Sequence, residues 1–138
     1  MQRLEGQVQL VLYPFALNPT SEVATQAAWC AGEQGKFWEF HHMLYRRQEL
    51  WNRLAAPLER LSEFAKDLNL DTAALKSCVE SGRMQDRMQA DKAYGQQLQV
   101  SSTPTVFIND SRIVGTQSEG ELVRLIRQEL NRVRPQGQ

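Results

Sequence analysis

The sequence is short of the residues that most often announce an activity. It has two cysteines, Cys30 and Cys78, and no C-x-x-C pair, so no closely spaced dithiol is written in it. It has no net charge, with 16 Lys plus Arg against 16 Asp plus Glu. That balance argues against an electrostatic grip on nucleic acid or an anionic membrane. No apolar run approaches the length of a membrane span. Gly32, Gly35, Gly115 and Gly120 form no phosphate-binding pattern, and there is no G-x-S-x-G. The two histidines, His41 and His42, are adjacent, and on a helix they would point about 100° apart. No cysteine or carboxylate spacing completes a ligand set around them, so no metal site and no cofactor are expected. Met1–Gly6 lacks the apolar core of a signal peptide. The expectation is a cytoplasmic chain or one whose N-terminus is missing. No repeat or low-complexity segment is present, and only the tail from Arg134 to Gln138 reads as frayed.

What is present suffices for a core, because 41% of the 138 residues are hydrophobic. Val8–Tyr13 is mostly apolar and β-prone, which predicts a strand buried on both faces. Asn18 or Thr20 can cap a helix carrying Val23, Ala24, Ala27, Ala28 and Ala31, which Gly32 and Gly35 should end. A second helix is predicted over Lys36–Gln48, with Phe37, Phe40 and Leu44 on one face. Pro57 suits the start of a third, whose stripe is Leu58, Leu61, Phe64, Ala65 and Leu68. Asp71 caps a fourth, with Leu75, Cys78 and Val79 inward and Gly82 closing it. Arg83–Gln97 predicts a fifth, with Met84, Met88, Ala93 and Leu98 as core candidates. Trp29, Trp38, Trp51, Phe37, Phe40 and Tyr45 form an aromatic set in this block. It reads as the core of a helical lobe, or as an apolar groove for unfolded segments.

The stretch Val100–Ile108 is a polar turn, then a proline, then a β-rich run. Pro104 cannot donate a backbone hydrogen bond, and it biases Thr103 towards an extended conformation. A proline is tolerated at a strand's first position. The pattern reads as an ordinary turn proline or as a rigid corner with a cis bond. Asn109-Asp110 predicts a hairpin turn, and Arg112–Val114 the return strand. Ser118 and Glu121 spell a capping box for a last helix. Leu122, Leu125, Ile126, Leu130 and Val133 form its stripe, interrupted by Glu129. The arginines Arg124, Arg127, Arg132 and Arg134 suit the C-terminal end of the helix dipole. The order is strand, about five helices, strand, strand, helix: a mixed α/β layer with a helix-rich excursion.

Two segments together carry a resemblance. Ala27-Ala28-Trp29-Cys30-Ala31-Gly32-Glu33-Gln34-Gly35-Lys36-Phe37-Trp38 is similar to the helical insertion of DsbA-like thiol–disulfide oxidoreductases of the thioredoxin superfamily. Val100–Asn109, with Val114-Gly115, resembles that family's cis-proline loop, strand and hairpin. The resemblance runs from about Gly6 to Arg132. It implies an incomplete thioredoxin-like α/β fold, with residues 1–17 and 98–138 as the thioredoxin part and residues 18–97 as the insertion. It implies a cis Thr103–Pro104 bond and a backbone at Thr103 that pairs with an extended polypeptide or thiol protein substrate, with Pro104 flanking the dithiol.

The family's first strands and its C-x-x-C, carried at a helix N-terminus that stabilises the thiolate, are absent. No residue here is therefore expected to be catalytic. The chain reads as an oxidoreductase domain lacking its dithiol and inactive by itself, or as a non-catalytic peptide-binding or scaffold module. The missing strand would lie between Val8–Tyr13 and Thr105–Ile108. Its loss leaves unpaired edges, and a second copy of the chain is the expected filling, giving a homodimer. Because related proteins often carry cysteines at these positions, the resemblance implies a structural disulfide between Cys30 and Cys78; two free buried thiols, or a redox role, are the alternatives. The family also suggests an extracytoplasmic location, in the periplasm or cell envelope, although no signal peptide is written here.

Overall fold

The computed structural model describes residue 4 and residues 6–133. The tail from Arg134 to Gln138, read above as frayed, lies outside the described residues, as does Arg134 among the dipole-facing arginines. The chain separates into two compact units, one of residues 13–95 and one combining residues 1–12 with residues 96–138.

The first unit holds helices α1 (Pro19–Glu33), α2 (Phe37–Arg46), α3 (Leu58–Asp67) and α4 (Thr72–Glu80), and most of α5 (Gln85–Gln97). Asn18 caps α1: its side chain accepts from the Ser21 N–H, while Ser21 Oγ accepts from the Asn18 N–H, closing a capping box. At the other end, Lys36 N–H reaches Ala31 O and Gly35 N–H reaches Gly32 O, both at 2.9 Å. This is a Schellman closure, and Gly35 sits in it at φ +76. Gly32 does not end the helix as expected. It lies inside α1, where a Cβ would stand 3.2 Å from Phe37 Cβ, so its smallness lets α2 approach. The second helix is shorter than predicted; α2 stops at Arg46 and a 3-10 turn follows at Gln48–Leu50. Trp51 Nε1 donates to Leu44 O at 2.9 Å and ties that turn down.

Helix α1 is central, packing on α2, α3 and α4. Its small face of Ala24, Ala27, Ala28 and Ala31 admits Phe40, Leu61, Phe64 and Leu75 into one core. Asp71 caps α4 by accepting from Ala74 N–H at 2.9 Å. Met84 and Met88 are buried, but Ala93 is exposed, contrary to expectation. Gly95 takes the core position instead, because a Cβ there would stand 3.0 Å from two ring carbons of Phe15.

The second unit contains a two-stranded antiparallel sheet and helix α6 (Glu119–Val133). Strand β1 (Thr105–Ile108) pairs with β2 (Ser111–Val114), with Ile108 opposite Ser111 across Asn109-Asp110. Asn109 adopts φ 51, a left-handed value that Asn tolerates in a tight turn. The Arg112 guanidinium lies over the Phe107 ring, its register partner, at 5.1 Å.

The expected strand at Val8–Tyr13 does not form; those residues join no ladder, and Leu10, Val11 and Tyr13 are 53%, 56% and 51% exposed. An apolar β-prone run needs a neighbour to satisfy its backbone, and among the described residues β1 is paired with β2 alone. The stripe of α6 is likewise incompletely covered. Leu122, Leu125, Ile126 and Leu130 are half-buried, Val133 is exposed, and no residue of the helix is fully buried. Only half of the predicted capping box is made. Glu121 N–H donates to Ser118 Oγ at 3.1 Å, but the Glu121 carboxylate turns forward to Arg124.

Candidate functional site

The proline corner is built by short-range bonds. Thr105 Oγ1 donates to Ser102 O at 2.7 Å, which closes the turn over the intervening residues. Gly115 N–H donates to Pro104 O at 2.9 Å, extending the β1–β2 ladder by one bond beyond the Thr105–Val114 pair. Gly115 has φ +86, a conformation that favours glycine. The Thr103–Pro104 peptide bond is cis.

Thr103 and Pro104 are both exposed. Among the described residues, no hydrogen bond engages the backbone N–H or C=O of Thr103. The corner thus presents one unpaired donor and one unpaired acceptor immediately before a strand, the arrangement to which an extended chain adds by backbone pairing.

Behind β1, Glu129 occupies the polar break in the α6 stripe. Its carboxylate accepts from Asn109 Nδ2 at 3.4 Å and Ser111 Oγ at 3.3 Å, and pairs with Arg132 at 2.8 Å. The Arg132 bond, then those from Asn109 and Ser111, hold the Glu129 carboxyl below its ordinary range. A charge within an apolar stripe was the signal for this clamp. Arg132, three residues on, is a local partner; the sequence could not name Asn109 and Ser111, because they come from the hairpin.

The two cysteines are far from that chemistry in kind. Cys30 on α1 and Cys78 on α4 are joined by a disulfide with Cα atoms 5.9 Å apart. They are 1% and 2% exposed within the α1–α3–α4 core, and no free cysteine is found among the described residues. Glu33 and Arg83 form an ion pair beside this bond, and neither residue stands out in the sequence.

The aromatic set divides. Phe40 and Trp51 are buried, and Trp29 stacks on Phe37 with centroids 4.6 Å apart, with the Arg87 guanidinium over the Trp29 ring at 3.4 Å. Trp38 and Tyr45 are 40% and 69% exposed on α2, flanking His41. His41 is half-buried and packs against Phe37, whereas His42 is exposed. Burial pushes the His41 imidazole below its usual pKa, with a smaller contribution from His42. Among the described residues, no group of three or more His, Cys, Asp or Glu could hold a metal ion, and no helix is long and apolar enough to cross a membrane.

Comparison with known proteins adds to this geometry. The sequence profile of the thioredoxin family matches residues 3–128. A Na(+)/H(+) antiporter NhaA 1 of Salinispora arenicola is 35% identical over 101 residues, covering 72% of this chain and 15% of the antiporter. A Na(+)/H(+) antiporter NhaA 3 of Salinispora tropica is 32% identical over 96 residues, covering 70% of this chain and 14% of the antiporter. Disulfide bond formation protein D of Bacillus subtilis is 23% identical over 109 residues, covering 78% of this chain and 49% of that protein. The chain therefore spans only a small part of the antiporters' length and about half of the Bacillus protein's. No solved structure matches.

Proposed function

Because the chain belongs to the thioredoxin family, we propose that it is a DsbA-like thiol–disulfide oxidoreductase domain that supplies the substrate-aligning half of the site. Thr103 and Pro104 receive an extended polypeptide or thiol protein, with the Thr103 backbone making the pairing bonds. The observation that carries this reading is the exposed, unengaged Thr103 backbone at the entry to β1. The similarity to disulfide bond formation protein D supports the substrate class. Ion exchange, the activity named for the antiporters, is not carried over from a match to 15% of such a protein.

The chemistry is not completed by these residues. A thiolate nucleophile is needed for exchange, and both cysteines are engaged in a buried disulfide, to which we assign a structural role. The chain by itself then shows no multiple turnover in insulin reduction or in dithiol oxidation, beyond the single equivalent its own disulfide can supply. Multiple turnover above that of a Cys30→Ala/Cys78→Ala double variant would overturn this. Peptide alignment is tested separately, by titrating an unfolded cysteine-containing peptide. Slowed amide exchange at Thr103 supports it, and an unchanged Thr103 amide at saturating peptide refutes it.

A non-catalytic peptide-binding or scaffold module is the second reading. It is favoured by the same locking of both cysteines, and it predicts that supplying the C-x-x-C segment as a separate polypeptide restores no turnover. We further propose that a second copy covers the open stripe of α6 and the unpaired edge of β1, giving a homodimer. A monomeric mass by light scattering at micromolar concentration would refute it. A disulfide persists in an oxidising compartment, so the proposed location is extracytoplasmic.

A further inference from the structure

The Cys30–Cys78 bond is the one disulfide among the described residues. Neighbouring side chains almost completely cover both cysteines. One charged group nevertheless reaches it: Glu33 Oε2 lies 3.7 Å from Cys78 Sγ, and the same oxygen is paired with the Arg83 guanidinium. The other charges on α4 are directed elsewhere, with Lys76 bound to Glu59 and Glu80 in solvent. The carboxylate at the disulfide thus carries a guanidinium partner, two groups with opposite electrostatic effects.

We propose that the Glu33–Arg83 pair controls thiol–disulfide exchange at Cys30–Cys78, with Glu33 protecting the bond from dithiols and Arg83 partly offsetting that protection. The inference stands on these contacts and does not rest on the peptide-aligning role of Thr103 and Pro104. In the reaction, a thiolate of an external dithiol attacks one sulfur. A bond forms between the attacking sulfur and that cysteine, and the Cys30–Cys78 bond breaks. Its electron pair leaves on the other sulfur, which takes a proton from water. The second thiol of the reductant, as its thiolate, then attacks the reductant sulfur of the mixed disulfide, breaking that sulfur's bond to the protein cysteine, which leaves as a thiolate and takes a proton from water. The protein gains two electrons and two protons, and the dithiol becomes a cyclic disulfide.

Glu33 opposes both directions of attack. If Cys30 is the target, negative charge departs onto Cys78 beside a carboxylate of like charge, which makes it a poorer leaving group. If Cys78 is the target, the incoming thiolate approaches a like charge. After reduction, the Cys78 S–H has an acceptor already in place in Glu33 Oε2.

The test uses the intact oxidised chain and dithiothreitol at pH 8 and low salt. Reduction is quenched by alkylation and read as intact mass. Glu33→Gln leaves Arg83 as an unopposed cation and is expected to speed reduction by about three- to tenfold. Arg83→Gln leaves the carboxylate unopposed and is expected to slow reduction by a similar factor. Both variants break the same ion pair, so any effect through stability or local opening moves them in the same direction. Opposite shifts in rate, compressed in 0.5 M salt, establish the proposal. Shifts of one sign, no shift, or a rate independent of dithiol concentration overturn it.

Discussion

The disulfide should dominate the stability of the helical unit, and its contribution can be worked from its position. It joins residues 48 apart in sequence. Removing a cross-link of that span returns loop entropy to the unfolded chain equivalent to about 4 kcal/mol in the chain-entropy model. Replacing both sulfurs with alanine also removes packing at two buried positions, adding about 1 kcal/mol per site. The total is a large part of the roughly 5–15 kcal/mol by which ordinary domains are stable. Urea unfolding of the Cys30→Ala/Cys78→Ala variant, followed by tryptophan fluorescence, checks this directly. All three tryptophans lie in residues 13–95, so the signal reports the unit that holds the disulfide. The midpoint is expected to fall by about 3 M, with a denaturant dependence near 2 kcal/mol/M. The slope should rise, because an uncross-linked unfolded chain exposes more surface. Wild-type protein under strong reductant should lose the same cross-link term without the packing loss. A midpoint shift below about 0.3 M with an unchanged slope would refute the claim that the cross-link constrains this unit.

Four further outcomes follow from the geometry. Gly35→Ala forces a side chain into the left-handed conformation that closes α1 and should destabilise by about 1–2 kcal/mol in chemical denaturation, although no atom crowds the site. His41 has its pKa lowered by burial from an ordinary value of 6.5. The unfolded chain therefore takes up the proton first, and stability should fall as pH drops through 6.5. His41→Phe should flatten urea midpoints between pH 7.5 and 5.5. Leu61→Ala, in the helical core, should cost about 2–5 kcal/mol. Ile126→Ala, on the half-covered stripe of α6, should cost about 1 kcal/mol in a monomer. If a second copy covers that stripe, the Ile126→Ala effect becomes dependent on protein concentration, which a dilution series of unfolding curves reads out.

Local chemistry made much of the helical unit legible. Asn18 and Asp71 cap helices by bonds that span three residues, and the inward positions of α3 follow the 3.6-residue period. The hairpin turn at Asn109-Asp110 was also readable, because turn chemistry is local. Spacing could not reveal which glycine ended α1. Gly32 and Gly35 both look like terminators, and only the approach of Phe37 distinguishes a packing glycine from a capping one. Ala93 and Gly95 were likewise exchanged, because the Phe15 ring that selects the smaller residue comes from a segment about 80 positions earlier in the chain.

The sequence by itself determined the order of the helices, the N-caps at Asn18 and Asp71, the hairpin and the family. Each depends on residues a few positions apart or on a recognisable run. The tertiary structure decided the fate of Val8–Tyr13, which has every local property of a buried strand and joins no ladder among the described residues. A strand's backbone is satisfied by a neighbour, and a neighbour's presence is not encoded in the strand. The structure also decided that Thr103 keeps its backbone unengaged, that Glu129 is clamped from across the hairpin, and that a carboxylate and a guanidinium from separate segments meet beside Cys78. For Glu129 with Asn109 and Ser111, and for Glu33 with Arg83, the partner is distant in sequence, so only the folded chain brings the groups within bonding range.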